Sequence, residues 1–300
     1  MPVRAALLCY DEGDESNIFP SHRIGHGRRC FLNNGDTGQG SRLANKGKAD
    51  KPVILNVDRT NVDETGFFCL MSRRRSEGHG GKLSWVKARF DEGLRIKMLE
   101  LPERGFIEYI PGEFAWRAIE TKGWMVIHCL WVVGKSKGKG FGGSLLEECV
   151  KDAKKSGMRG VAMVTSQGNW LAGQKLLESH GFKAVDTAPP SFTLMVKALK
   201  PGPLPSFPDD LADRAARFGK GLTILTSGQC PYHSDATRIL KAAAAKAKIK
   251  MRVVELKTAR QAQTLSPSPY GVFQVVLDGK LMAYHYLTED GALELLARRA

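Results

Sequence analysis

No stretch of the chain approaches the ~20 apolar residues that a membrane-spanning helix needs, and the apolar start at residues 5–9 is too short for the core of a secretory signal. A cytoplasmic protein is the resulting expectation. Cysteine is sparse: none of the six (Cys9, Cys30, Cys69, Cys129, Cys149, Cys230) falls in a C-x-x-C pair. That removes the pattern of a disulfide framework or zinc ribbon and leaves reduced thiols and no metal site as the expectation. A dense basic face is missing as well. The formal net charge of +14 divides into +1 over residues 1–50, +8 over 51–200 and +5 over 201–300. Its tight clusters are limited to Arg73, Arg74 and Arg75, then Lys135, Lys137 and Lys139, then Lys246, Lys248 and Lys250. A nucleic-acid binder concentrates its charge and interleaves aromatic residues, so nucleic acid is disfavoured as a partner. Internal repeats are absent.

What remains is a globular composition, 42% hydrophobic and 25% charged over 300 residues, with a length that suits about two domains. Residues 33–50 are too poor in large apolar side chains to offset the entropy of ordering them, so 1–51 reads as an extension that is partly disordered. A first domain is expected over 52–200, and the stretch 201–208, with four prolines in eight residues, reads as a stiff connection to a second domain over 209–300. Within the first domain, strands are predicted at 53–57, 94–101, 105–110, 125–133, 161–165 and 192–196, and helices at 61–72, 83–92, 144–155 and 170–180. The run 125–133 (M-V-I-H-C-L-W-V-V) is almost continuously apolar, as in a central strand covered on both faces. Beyond the prolines, helices are predicted at 209–218, 234–247, 259–264 and 290–298, and strands at 222–225, 251–256, 272–277 and 281–286.

The central strand runs into Gly134-Lys-Ser-Lys-Gly-Lys-Gly-Phe-Gly-Gly143 and then directly into a helix. Glycines let backbone N–H groups turn toward a phosphate, and a helix N-terminus favours negative charge there. The G-x-x-x-x-G-K-[ST] spacing of a Walker loop is absent, since Gly134-Lys135-Ser136 has no glycine five residues before it, and the next strand ends without the acidic ribose partner of a dinucleotide fold.

These residues resemble the acetyl-coenzyme A loop of the GNAT N-acetyltransferases, whose pattern is Arg/Gln-x-x-Gly-x-Gly/Ala. Lys137-Gly138-Lys139-Gly140-Phe141-Gly142 matches it with lysine in first place, and Gly143 continues the turn. The preceding Leu130-Trp131-Val132 and the later Asn169…Gly181-Phe182 resemble two further marks of that family. F-I-E-Y-I-P, C-L-W-V-V-G and the two-domain layout are similar to the YoaP-type members, in which a GNAT domain is joined to a small C-terminal module. The resemblance implies an α/β (α+β) fold with a mixed central sheet, acetyl-CoA as acetyl donor, and a small-molecule or peptide amine as acceptor; a homodimer is compatible with it. It also implies direct attack of the amine on the thioester, with main-chain N–H groups around Leu130, Trp131 and Val132 stabilising the oxyanion. The place where some relatives hold a glutamate base is Val126, so Glu108 is the candidate base and His128 the second choice. The place where many relatives hold a proton-donating tyrosine is Leu177; either no side chain serves, or Tyr109 does. An acyl-CoA-binding regulatory protein without acetyl transfer is the alternative.

In the second domain the element order, with Cys230-Pro231-Tyr232-His233 before a helix, resembles a glutaredoxin or thioredoxin-like module lacking its second cysteine. A helix N-terminus acidifies a thiol, which makes Cys230 the expected reactive cysteine. Pro267 or Pro269 is the candidate cis-proline. A monothiol site and a docking module both fit this pattern.

Overall fold

A computed structural model describes residues 51–167 and 171–297. The chain first lays down β1 (Ile54–Val57), β2 (Arg95–Leu99), β3 (Gly105–Pro111) and β4 (Met125–Val132), each antiparallel to the one before, with α1 (Val62–Thr65) and α2 (Glu77–Arg89) between the first two. Helix α3 (Phe141–Lys155) then carries the chain to β5 (Gly160–Ser166), which lies parallel to β4. After α4 (Gln174–Ser179), the strands β6 (Lys183–Ala188) and β7 (Phe192–Ala198) complete a seven-stranded mixed sheet ordered β1-β2-β3-β4-β5-β7-β6. The apolar run 125–133 is its central strand, as predicted.

A second sheet, ordered β11-β10-β8-β9, is built from β8 (Leu222–Thr226), β9 (Met251–Glu255), β10 (Phe273–Leu277) and β11 (Lys280–Ala283). Helices α5 (Leu211–Ala216), α6 (His233–Lys246), α7 (Ala259–Leu265) and α8 (Glu289–Ala297) complete this module. The pair β8/β9 is parallel, bridged by α6, while β10 is antiparallel to both β8 and β11. The fold is mixed α/β throughout.

Alternation along the strands divides the core in two. On one face Ile107, Tyr109, Ile127 and Met163 pack under Leu145, Leu146 and Cys149 of α3. On the other, Phe106, Ile110, Val126 and Val164 share one cluster with Trp85 and Val86 of α2 and with Val272 and Phe273 of the second module. Both sheets belong to one unit, Pro52–Ala300. The proline-rich stretch is fastened down: Trp124 Nε1 donates to the Pro203 carbonyl (3.3 Å), Ser206 pairs with Glu120, and the Phe207 N–H reaches Asp186 (2.7 Å).

Several boundaries differ from the sequence reading for local reasons. Helix α2 begins six residues early, because Ser76 caps it through the His79 N–H and because Gly78 lies at an interface. A Cβ at Gly78 would lie 2.1 Å from the Pro231 carbonyl oxygen, so that surface of α2 seats the Cys230-Pro231 turn of the second module. The predicted helix 61–72 is broken after Thr65, where Gly66, Phe68 and Leu70 take positive φ. Strand β6 was not expected. The cis peptide bonds among the described residues precede Pro102 and Pro190, so Pro267 and Pro269 are trans. The turn around them is held instead by the Ser266 hydroxyl on the Gly271 carbonyl (2.8 Å) and the Gly271 N–H on that of Ser268.

Candidate functional site

Strands β4 and β5 pair at only three positions, from Met125/Val161 to Ile127/Met163, although each continues for several residues beyond. Past that point they diverge, leaving a wedge whose β4 side carries Leu130, Trp131 and Val132. At its mouth lies the glycine loop. Gly138 and Gly140 both take positive φ (78° and 82°), Gly140 caps α3, and nothing lies within 4 Å of a Cβ built on either. The amides of Gly138, Lys139, Gly140, Phe141 and Gly142 have no backbone partner among the described residues, so the loop presents a row of donors at a helix N-terminus. Lys135 and Lys137 are exposed beside it, whereas Lys139 is paired with Glu103 (2.7 Å). Phe141 turns into the core under α3, and Gly142 and Gly143 let α4 approach: a Cβ at Gly143 would sit 2.2 Å from His180 Nε2. This donor cradle, open and flanked by cations, fits a pyrophosphate. Asn169, the remaining cofactor-binding candidate, lies outside the described residues.

Register across β3 and β4 shifts between Glu108 and Tyr109: Glu108 faces Cys129, Tyr109 faces Ile127, and His128 is the extra residue of a bulge. A bulge re-aims side chains. Here it turns His128 toward Glu108, on the face of α2 and the second module. Glu108 is 1% exposed and accepts from Lys82 through Oε2 and from Gln229 Nε2 (2.8 Å) and His128 Nδ1 (3.2 Å) through Oε1. Burial alone would raise its pKa, but the Lys82 ammonium and the His128 and Lys82 hydrogen bonds outweigh that and hold it down to about 2. His128 Nε2 accepts the Trp116 N–H (2.9 Å), so its proton is on Nδ1. Burial, with Arg117 nearby, depresses its pKa to about 4. Glu108, buried, bound to three donors and held at low pKa, is poorly placed to take a proton from a substrate, and both ring nitrogens of His128 are engaged, so the arrangement speaks against either acting as the base. Their geometry fastens the bulge.

Tyr109 points to the opposite face, where its hydroxyl donates to Asp152 (2.5 Å). Burial, Cys149 and Asp152 push its pKa upward, and the sheet separates it from Glu108. Leu177 is fully buried beneath α3 and Val126 in the opposite core. Cys230, the expected reactive thiol, is half-buried. Helix α6 starts only at His233, and burial together with Cys129 pushes the Cys230 thiol up to about 12 despite a hydrogen bond from the Tyr232 N–H. His233, stacked on Phe273, is lowered to about 3 by burial, Arg117 and Lys82, so it supplies no cation.

Lys82, Trp85, Arg117 and Gln229 escaped the sequence reading. A lysine at 82, one turn before Trp85 and Val86 on an apolar helix face, was the available signal for the first; Gln229, adjacent to Cys230, reaches its partner 121 residues away in sequence and left none.

No family model matches the chain. It is 29% identical over 246 residues to the N-acetyltransferase YoaP of Bacillus subtilis (strain 168), covering 81% of this chain and 97% of that protein. Among solved structures it is similar to a GNAT family acetyltransferase from Elizabethkingia anophelis with acetyl-CoA bound (16% identity, 50% of this chain and 99% of that one, TM-score 0.35). It is also similar to the GNAT family N-acetyltransferase YhbS from Escherichia coli in complex with CoA (16% identity, 53% and 91%, TM-score 0.36). These relatives are all acetyltransferases.

Proposed function

We propose that the chain is an acetyl-CoA-dependent N-acetyltransferase of the GNAT type, with the transferase built on residues 52–200 and a thioredoxin-like module on 209–300. The observation that carries this reading is the wedge between β4 and β5 opening onto the glycine loop of α3. The free amides of residues 138–142, with Lys135 and Lys137, would hold the pyrophosphate, and the β4 edge at 130–132 would take the pantetheine arm. Bound there, acetyl-CoA supplies an acetyl thioester for direct attack by a primary amine. Main-chain N–H groups of β4 beyond the bulge that turn toward the wedge would stabilise the developing negative charge. Glu108, His128 and Lys82 hold the bulge that aims them.

The strand order of the second sheet, its parallel β8/β9 pair and the placement of Cys230 before α6 support the thioredoxin-like assignment. The missing second cysteine, with the Cys230 thiol pushed upward by desolvation, favours a docking role over a redox one. Calorimetry with coenzyme A tests the reading: wild type binds and Gly140→Glu, which places a carboxylate in the cradle, does not. Equal behaviour of the two proteins would end it. Tight coenzyme A binding without acetylation of any amine would favour a regulatory protein instead.

A further inference from the structure

The seam between the first sheet and the second module holds a positive charge with no counter-ion. Arg117 is 1% exposed. Its guanidinium donates to the carbonyls of Trp116 (2.8 Å) and His128 (2.6 Å) and lies over the Tyr270 ring, while its Nε has no partner. No carboxylate pairs with it among the described residues. Lys82 does not change the balance, because Glu108 neutralises it. The two histidines facing the seam, His128 and His233, are held neutral, and the thiols of Cys69, Cys129 and Cys230 are held protonated by burial. A buried cation without an anion is costly and rare in a finished structure.

Unpaired polar atoms gather at the same place. Trp85 Nε1 and Trp116 Nε1 are buried donors without partners, the two rings meeting at 5.4 Å, and Gln229 Oε1 is a buried acceptor without one. The other end of the Gln229 carboxamide is fixed, on Glu108 and toward Cys129 at 3.6 Å. Gly228 abuts Trp85, so the turn carrying Gln229 roofs this group against α2. From the far side of the wedge, Tyr284 reaches Ser166 at the end of β5 (3.2 Å). The second module thus covers both strands from which acetyl transfer would proceed.

Resting on the acetyltransferase reading, we infer that this seam is the acceptor subsite and takes a small amine bearing a compact anionic group, with Arg117 as its counter-charge. The anion meets Arg117 and the indole N–H groups of Trp85 and Trp116. Gln229 Oε1 accepts from the ammonium or amine. The roof excludes a protein N-terminus, so the acceptor is a metabolite rather than a peptide.

The test assays acetyl transfer from acetyl-CoA to the twenty free α-amino acids and O-phosphoethanolamine, against the matching α-amides, ethanolamine and C-terminally amidated tripeptides. The full chain is used throughout. At least one acidic amine should exceed its neutral counterpart tenfold or more in kcat/KM. For that amine, Arg117→Met should raise KM tenfold or more with the coenzyme A Kd unchanged, and Arg117→Lys should recover part of the loss. Trp85→Phe, which keeps an aromatic ring but deletes the indole N–H, should raise KM severalfold, with urea midpoints of all variants measured to separate this from a folding defect. Normal coenzyme A binding with neutral amines or tripeptides preferred, with no acidic amine acetylated, or with KM indifferent to Arg117→Met and Trp85→Phe overturns this inference alone. Loss of coenzyme A binding in wild type overturns the acetyltransferase reading beneath it.

Discussion

At Glu108 one carboxylate serves three donors from three places: Lys82 on α2, His128 on β4 and Gln229 from the second module. Removing one partner of a buried ion pair leaves an uncompensated charge, at about 3–5 kcal/mol, whereas removing both is far milder. Lys82→Met should therefore lower the urea midpoint sharply, and Lys82→Met with Glu108→Gln should recover most of the loss. Additive losses in that cycle would mean the pair is not coupled. Cys230 illustrates the opposite case, a side chain whose setting removes its reactivity. With limiting iodoacetamide near pH 6.5, peptide mass spectrometry should find Cys230 labelled more slowly than an unstructured cysteine peptide, because its thiol is held near 12 by burial first and Cys129 second. Preferential labelling of Cys230 would reinstate a thiolate site.

At the scale of elements, the glycine loop divides its lysines into two kinds. Lys139 is already paired with Glu103, but Lys137 is exposed without such a pair. A charge-assisted phosphate contact is worth roughly 1.5–3 kcal/mol, so Lys137→Ala should weaken coenzyme A binding about tenfold or more by calorimetry. Lys139→Ala should do less, and the reverse order would place the phosphates nearer Glu103. This loop, the central strand and α3 were legible in the sequence because apolar run, glycines and helix stripe are local signals that follow one another. Helix α2 was legible only in its second half: the glycine-rich first turns gave no apolar stripe, and the reason for Gly78 lies in Pro231, about 150 residues away. Glu108 was singled out in the sequence as a candidate base, but the partners that hold its carboxylate come from α2 and the second module, and only tertiary structure brings them together. Cys230 is a similar case. Its position before a helix is visible in sequence, but the burial that overrides the helix is not.

Across the whole molecule, acid should act through the seam. His128 and His233 have folded pKa values near 4 and 3, below the ordinary 6.5, because burial and neighbouring cations disfavour their charged forms. The unfolded chain takes up protons first, so their contribution is complete above about 6.5 and declines as pH falls toward 4 and 3. The slope is up to roughly 1.4 kcal/mol per pH unit for each histidine. Glu108 adds a further loss between 4.5 and about 2. Urea unfolding at pH 7.5, 6 and 5 should show this decline, and a flat profile would mean that both imidazoles are hydrated. The Gln229–Glu108 hydrogen bond, finally, sets a tempo. Since the turn that bears Gln229 is fastened to Glu108 over the sheet, an acceptor bound in the proposed subsite would have to pass it on the way in and out. Gated sites commonly turn over at the speed of opening rather than of bond-making, so on that reading the second module, although it contributes no reacting atom, would act as the clock of the first.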